Sequence, residues 1–463
     1  MAPLFSIKPA QRPMIPWLRE HKRCALWAGM GIGKTSAALY ALELMRLTGE
    51  IGDAPTLVVA PMRVARDGWY AEAQKWAQFH DLEIVPLTGS PAERKKKLGA
   101  KADIFTVSYE TAPWLVEQYL ERWPYRQVIA DESDRLKGFR TRQGGMRARN
   151  LARVAHNLTD RWVNLTGTPA PNGLKDLWGQ TWYLDKGERL GRTYSAFMDR
   201  WFRPKWNGEG VEPMPHAEAQ IHAQVRDICL TIDPHDYFDL REPIVTTVKV
   251  PLPAAARAIY KQLERDMFAR LADGGEVEAF NAAALTNKCL QLANGAVYTD
   301  YPQWSAIHDE KIEALRSIQA ESGGTPLLVA YQFKSDLARL LAAFPKAVCL
   351  ADTAGMQAFR RGDAPIGLAH PASMGHGIDG LQLVTNILVR FGHDWNLGTR
   401  MQMLERIGPM RQVQAGFDRA VFVYDLVAED TIDEDVVAAH AAKRGVQDAL
   451  LYAARRFTNG RHG

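Results

Sequence analysis

Residues 28–35 read Ala-Gly-Met-Gly-Ile-Gly-Lys-Thr, between a short apolar run, Cys24-Ala25-Leu26-Trp27, and a stretch of helical periodicity over 35–47. A glycine-rich turn between a buried strand and a helix is the setting in which backbone N–H groups close around phosphate oxygens. The glycines permit the inward turn, and the helix N-terminus adds the positive end of its dipole. The pattern predicts a nucleotide site made by Gly29, Met30, Gly31, Ile32, Gly33, Lys34 and Thr35. Lys34 would reach the β- and γ-phosphates of ATP, and the Thr35 hydroxyl would bind Mg2+. The first position is Ala28, where glycine is usual. Such a loop also constrains the fold, because the strand that feeds it belongs to a parallel α/β sheet.

A phosphate loop that hydrolyses its nucleotide needs acidic groups on a neighbouring strand. Val128-Ile129-Ala130-Asp131-Glu132 supplies them: the apolar run buries the strand and delivers two carboxylates at its C-terminal end. Asp131 is expected to hold Mg2+ through water, and Glu132 to orient and activate the attacking water.

The pattern around these segments is α/β. Strands are expected over 24–27, 56–60, 103–107, 127–130 and 162–165, with a helix over about 66–78. From about 170 to 305 the chain reads as helical and irregular, with proline punctuation. A second α/β pattern follows, with strands over 327–331, 347–350, 366–370, 386–390 and 419–424. Hydrophobic residues make up 46% and charged residues 24%, a balance that excludes a disordered or coiled-coil chain. No apolar run approaches the ~18 residues of a membrane helix, and the first residues lack the apolar core of a secretion signal. The expected compartment is the cytoplasm, with no membrane partner. Cys24, Cys229, Cys289 and Cys349 are far apart, which excludes a zinc ribbon and points to reduced thiols.

Three ordered segments narrow the reading: Asp131-Glu132-Ser133-Asp134, then Arg135-Leu136-Lys137, then Leu165-Thr166-Gly167-Thr168-Pro169. Together with the phosphate loop they resemble superfamily 2 helicases and translocases, and within them the Swi/Snf-type branch. The resemblance implies two RecA-like parallel-sheet lobes with helical insertions between them: lobe 1 over 1–170, insertions over 171–305, lobe 2 over 306–440 and a helical tail over 441–463. It assigns Gln11, in Lys8-Pro9-Ala10-Gln11, to adenine recognition, since an amide can both donate to and accept from the adenine edge. Ala60-Pro61-Met62-Arg63 and Thr106-Val107-Ser108-Tyr109-Glu110 look like nucleic-acid-facing loops, which makes Arg63, Ser108 and Tyr109 candidate DNA contacts.

In the second half, Asp309-Glu310-Lys311-Ile312 is similar to the segment that opens lobe 2. Leu328 to Phe333, with Gln332, looks like a further DNA-facing motif. The segment 371–379 is similar to the motif with a G-x-G-I-N core, placing Gly377 and Asp379 at the nucleotide, with Asp where Asn is usual. Asp394-Trp395 matches the family's D-W pair and puts Trp395 at the DNA groove. The last motif departs most. Gln402 and Arg406 fit its first glutamine and first arginine, and its second arginine is displaced to Arg411. Arg406, with Arg411 second, is the expected arginine that meets the γ-phosphate.

Net charge is only +4, so a nucleic-acid partner has to be argued from clustering. Arg135, Lys137, Arg140, Arg142, Arg147, Arg149 and Arg153 are seven basic residues in a stretch with no acidic one, directly after the acidic motif. Such a run could grip a phosphate backbone or form a solvated helix face. The reading that accounts for most of the chain is an ATP-dependent motor on duplex DNA. Its lack of accessory modules resembles compact bacteriophage and prokaryotic members, acting as a monomer and meeting a phage or host replication or recombination protein. A strand-separating DNA or RNA helicase, a weakly active nucleic-acid scaffold and a non-motor kinase are the alternatives.

Overall fold

The computed structural model describes residues 2–442 apart from 30, 142–144, 172, 205–210, 273–277, 300–301 and 375–377; side chains at 121, 264, 266–272 and 278–285 are also outside the description. The chain forms two compact units, which divide between Asp239 and Leu240. Among the described residues no helix is long and apolar enough to cross a membrane.

The first unit is built on strands β1 (Arg23–Ala28), β2 (Thr56–Ala60), β3 (Ile84–Pro86), β4 (Ile104–Ser108), β5 (Gln127–Asp131) and β6 (Arg161–Thr166). A small antiparallel pair, β7 (Phe202–Pro204) with β8 (Val211–Pro213), stands apart, and β9 (Cys229–Ile232) returns to the main sheet. The strand order is β3-β4-β2-β5-β6-β1-β9, and every pairing is parallel. Parallel strands need crossover connections, whose helices cover the sheet faces. This is why β2, β4, β5 and β6 are buried at every position and lack a period-two polar face.

The second unit repeats this plan with β10 (Ile244–Val250), β13 (Leu327–Ala330), β14 (Val348–Cys349), β15 (Ile366–Ala369), β16 (Ile387–Arg390) and β17 (Phe422–Ala428). Its order is β10-β17-β16-β13-β15-β14, again all parallel. A short antiparallel pair, β11 (Ala296–Tyr298) with β12 (Trp304–Ala306), precedes its first crossover helix. Two parallel-sheet lobes with intervening helices are the expected α/β class.

The expected boundaries differ from the observed ones. The region 171–305 is not a unit of its own. It does hold helices Leu177–Asp185, Tyr194–Trp201 and Ala217–Val225. It also gives β9 to the first sheet and β10 to the second. β9 is four residues of buried edge strand, too short to register as a pattern, and prolines flank β10. The helix expected over 66–78 is broken into a π turn (Val64–Gly68), an α-helix (Trp69–Gln74) and a 3-10 turn (Ala77–Phe79). The strand expected over 419–424 starts and ends later, as β17.

One buried ion pair fastens the second unit. Lys311 and Asp433 are both fully buried, 2.6 Å apart. Lys311 Nζ also donates to Asn294 Oδ1 (2.8 Å) and to the Phe391 carbonyl (3.1 Å), while Asp433 accepts from Ala428 N (3.1 Å). The ammonium thus ties the helix Glu310–Glu321 to the ends of β16 and β17. Lys311→Met leaves a buried carboxylate without its cation and should cost about 3–5 kcal/mol in urea denaturation. The double variant Lys311→Met/Asp433→Leu should recover most of that loss.

Candidate active site

The phosphate loop is held in shape by its glycines. Gly31 and Gly33 have φ of +78° and +95°, the left-handed region that favours glycine. Gly33 is the cap of the helix Lys34–Leu47, and a Cβ there would run into Gln11 Nε2. A Cβ on Gly29 would fall 2.5 Å from Pro234 Cγ. Ile32 is buried, so it can serve a nucleotide only through its backbone. Met30 lies outside the described residues. Lys34 is buried, and its Nζ donates to the Ala28 carbonyl (2.8 Å) and the Gly29 carbonyl (3.3 Å). Phosphate oxygens would take the place of these carbonyls, since an ammonium has only three donors. Thr35 stands half-buried in the first turn of the helix.

Gln11, the expected adenine reader, lies against the phosphate loop. It is buried, and both its amide donors are committed, to the Gly33 carbonyl (3.0 Å) and to Ser36 Oγ (3.0 Å). Its Oε1 accepts from Lys8 N (3.0 Å). In this geometry it braces the phosphate loop.

The two acidic residues stand at the end of β5. Asp131 pairs with Leu165 across β5 and β6, and Leu165 pairs with Leu26 across β6 and β1. Trp69 Nε1 donates to Asp131 Oδ2 (3.0 Å), which fixes the carboxylate's rotation. Glu132 has φ of +55°, a strained conformation for a residue with a side chain. The Tyr109 hydroxyl reaches the carbonyls of Asp131 (3.0 Å) and Glu132 (3.4 Å). Burial, with the nearby Asp131 charge, pushes that hydroxyl well above its usual pKa, so it stays a donor. Buried carboxylates at the strand end, an oriented Asp131 and a threonine in the helix's first turn are a donor set that fits Mg2+.

The expected nucleic-acid contacts divide. Ser108 and Tyr109 do not face outward: they are 0% and 1% exposed, and Ser108 Oγ bonds Thr111 Oγ1 (3.1 Å). The exposed residue of that turn is Glu110. It sits 3.1 Å from Arg147 and 3.9 Å from Arg135, so it offsets part of the basic run. Arg140 is also turned inward. Its guanidinium lies 3.3 Å from the centre of the Tyr194 ring and donates to the Lys137 carbonyl (2.9 Å). Lys137 lies between Asp134 (3.9 Å) and Asp176 (3.8 Å). Arg135, Arg147, Arg149 and Arg153 are exposed, Arg63 is half-buried, and Arg142 lies outside the described residues.

In the second unit, Trp395 is 41% exposed, high for so large an apolar ring. Gln332 is half-buried, with its N donating to Asp336 Oδ2 (3.1 Å). Both candidate arginines contact one loop: Arg406 is buried and donates to the Ile378 carbonyl (3.0 Å), and Arg411 pairs with Asp379 (2.7 Å). Gly377 lies outside the described residues. Sequence reasoning missed the roles of Trp69 and Tyr109, although both stand beside motifs it identified. Their partners lie 62 and 22 positions away, and the sequence carries no local signal for the pairing.

The SNF2-related domain profile matches residues 11–294. A protein designated p41, from Acyrthosiphon pisum secondary endosymbiont phage 1, is 49% identical over 459 residues, 98% of this chain and 99% of that protein. The transcription regulatory protein SNF2 of Saccharomyces cerevisiae is 25% identical over 297 residues, 60% of this chain and 16% of SNF2. Bacillus subtilis YwqA, provisionally named an ATP-dependent helicase/translocase, is 23% identical and covers 98% of this chain with 50% of its own length. The chain therefore spans only a fraction of its cellular relatives. A solved Sulfolobus solfataricus SWI2/SNF2 ATPase core in complex with dsDNA aligns over 98% of the chain at 20% identity, with a TM-score of 0.44.

Asp134 offers a pH test of the site. Its side chain is 15% exposed, and burial, together with the Glu132 charge, raises its pKa from 3.8 to about 7. The folded value exceeds the unfolded one, so the folded chain holds the extra proton between them, and stability from this group falls as pH rises toward 7. Asp134→Asn should raise the melting temperature at pH 8 by more than at pH 5, measured against wild type at each pH.

Proposed function

The chain belongs to the SNF2-related domain family, and from that premise we propose that it is an ATP-driven motor that moves along or remodels double-stranded DNA. The observation that carries the reading is the joint placement of Lys34, Asp131 and Glu132 at the C-terminal edge of one parallel sheet, in a chain that also contains a second such sheet. A kinase or small-molecule ATPase would leave the second unit without a task.

In this reading the phosphate loop and Lys34 bind the ATP phosphates. Thr35 and, through water, Asp131 hold Mg2+, which neutralises charge on the phosphates when bound. Glu132 orients the attacking water and takes its proton. Trp69 Nε1 holds the Asp131 carboxylate, so that group is ordered before the substrate arrives, which lowers the cost of reaching the transition state. Arg406, with Arg411 second, supplies the transition-state cation. The exposed arginines of the first unit, Arg135, Arg147, Arg149 and Arg153, contact backbone phosphates, and Trp395 lies at the nucleic-acid groove. The likeness to p41, a phage protein, supports a setting in the cytoplasm of a phage-infected bacterium, and the resemblance to superfamily 2 motors supports action as a monomer.

ATP hydrolysis should be stimulated by blunt duplex DNA beyond single strands or RNA. Glu132→Gln should abolish turnover and retain ATP binding, while Lys34→Ala should weaken binding itself. Stimulation by single strands or RNA alone would favour strand separation, and indifference to every nucleic acid would contradict the motor. Separately, Arg149→Ala should weaken binding about equally across DNA sequences and lower the salt slope of log K by roughly one.

A further inference from the structure

The helix Leu177–Asp185 packs into the first unit through large apolar side chains, with Leu177, Trp178, Tyr183 and Leu184 buried. Two polar residues, Gln180 and Thr181, each 2% exposed, lie on that same buried helix, and Gln180 brings a full amide into it. A buried amide costs free energy unless its polar atoms are paired, and a leucine or methionine would fill similar space without that demand. This amide pairs with the turns after β5 and β6 and with the start of its own helix. Its Oε1 accepts from Ser133 Oγ (3.1 Å), the residue after Glu132. Its Nε2 donates to the carbonyls of Pro169, where the turn after β6 ends, and of Asp176 (3.3 Å). Its backbone carbonyl accepts from Asn164 Nδ2 (2.9 Å), on β6 itself.

The backbone approach is equally close. A Cβ on Gly179 would stand 2.6 Å from the Lys137 carbonyl and 2.7 Å from that of Leu136. The helix can therefore lie directly against the turn Ser133–Leu136 that follows Glu132. Glu132 itself sits at φ +55°, a conformation that persists only where the surroundings hold it. On its N-terminal side Tyr109 and Trp69 provide that hold. On its C-terminal side the adjoining residue, Ser133, is held by Gln180.

We propose that Gln180 is a positioning residue for hydrolysis: its amide couples the turn after β6 to Ser133 and so fixes the direction of the Glu132 carboxylate. This rests on the ATP-hydrolysis reading above. Gln180 touches neither nucleotide nor water in this role, so its loss should lower kcat and leave the KM for ATP nearly unchanged. The expected size is roughly tenfold in kcat, the scale of one buried hydrogen bond.

The test is steady-state ATPase kinetics on the full chain with saturating duplex DNA. Wild type and Glu132→Gln serve as references, and Gln180→Leu, Gln180→Glu, Ser133→Ala and the double variant Ser133→Ala/Gln180→Leu are compared with them. Gln180→Leu should lose kcat with KM preserved. Ser133→Ala should lose a similar amount, and the double variant should be no slower than the slower single, because both remove one coupling. In Gln180→Glu the carboxylate still accepts from Ser133 and cannot donate to Pro169. Its rate relative to wild type should therefore rise as pH falls and the carboxyl gains a proton. This variant and Ser133→Ala also carry the test if Gln180→Leu fails to fold. Wild-type kcat in Gln180→Leu and Ser133→Ala, fully additive losses in the double variant, or a loss confined to KM would overturn the proposal. If wild type hydrolyses no more ATP than Glu132→Gln, the ATPase reading fails instead.

Discussion

In-register parallel pairing of β5, β6 and β1 sets Asp131 level with Leu165, and Leu165 level with Leu26. The proposed hydrolytic chemistry depends on this pairing, because the phosphate loop leaves β1 and the acidic pair leaves β5. A slip of one residue in either ladder would turn every side chain of that strand to the opposite face. It would also move the carboxylates along the strand, away from the loop. Burial on both faces makes such a slip costly, since β5 and β6 are buried at every position and hold their register by packing. Loop, carboxylates and the turn after β6 therefore emerge together at one edge.

At that edge the geometry is finished by single hydrogen bonds from residues far away in sequence. Trp69 rotates Asp131, Tyr109 holds the backbone at Glu132, and Gln11 braces the phosphate loop from below. Each donor is buried, so leaving its partner unpaired would cost more than the bond itself contributes. The loop's glycines make room for this bracing: Gly33 leaves space for the Gln11 amide, which a side chain would occupy.

The sequence made the phosphate loop, the acidic pair and most strands legible because these signals are local. Apolar runs bounded by turns mark buried strands, and Gly-x-Gly-Lys-Thr marks a phosphate turn. Direction was harder to read. Ser108 and Tyr109 sit in a segment resembling a DNA-facing loop, and both point inward; the neighbouring Glu110 points out. Arg140 belongs to a basic run and spends its charge on Tyr194 and a carbonyl. A run of basic residues has a sign but no facing, and facing is decided by the tertiary packing of Tyr194 and of the helix Leu177–Asp185. The unit boundary was obscured for a related reason: β9 and β10 are strands chiefly by virtue of the partners β1 and β17 that they find. In the second unit, the network around Lys311 lies in a segment identified by resemblance, while its partners Asn294 and Asp433 carried no sequence signal.

Movement along duplex DNA driven by ATP hydrolysis would displace the third strand of a DNA triplex. The wild-type protein should remove the third strand in the presence of ATP and fail with a non-hydrolysable analogue, and Glu132→Gln should not displace it under any condition. Duplex-stimulated ATP hydrolysis with the third strand left in place would mean that hydrolysis does not drive movement along the duplex.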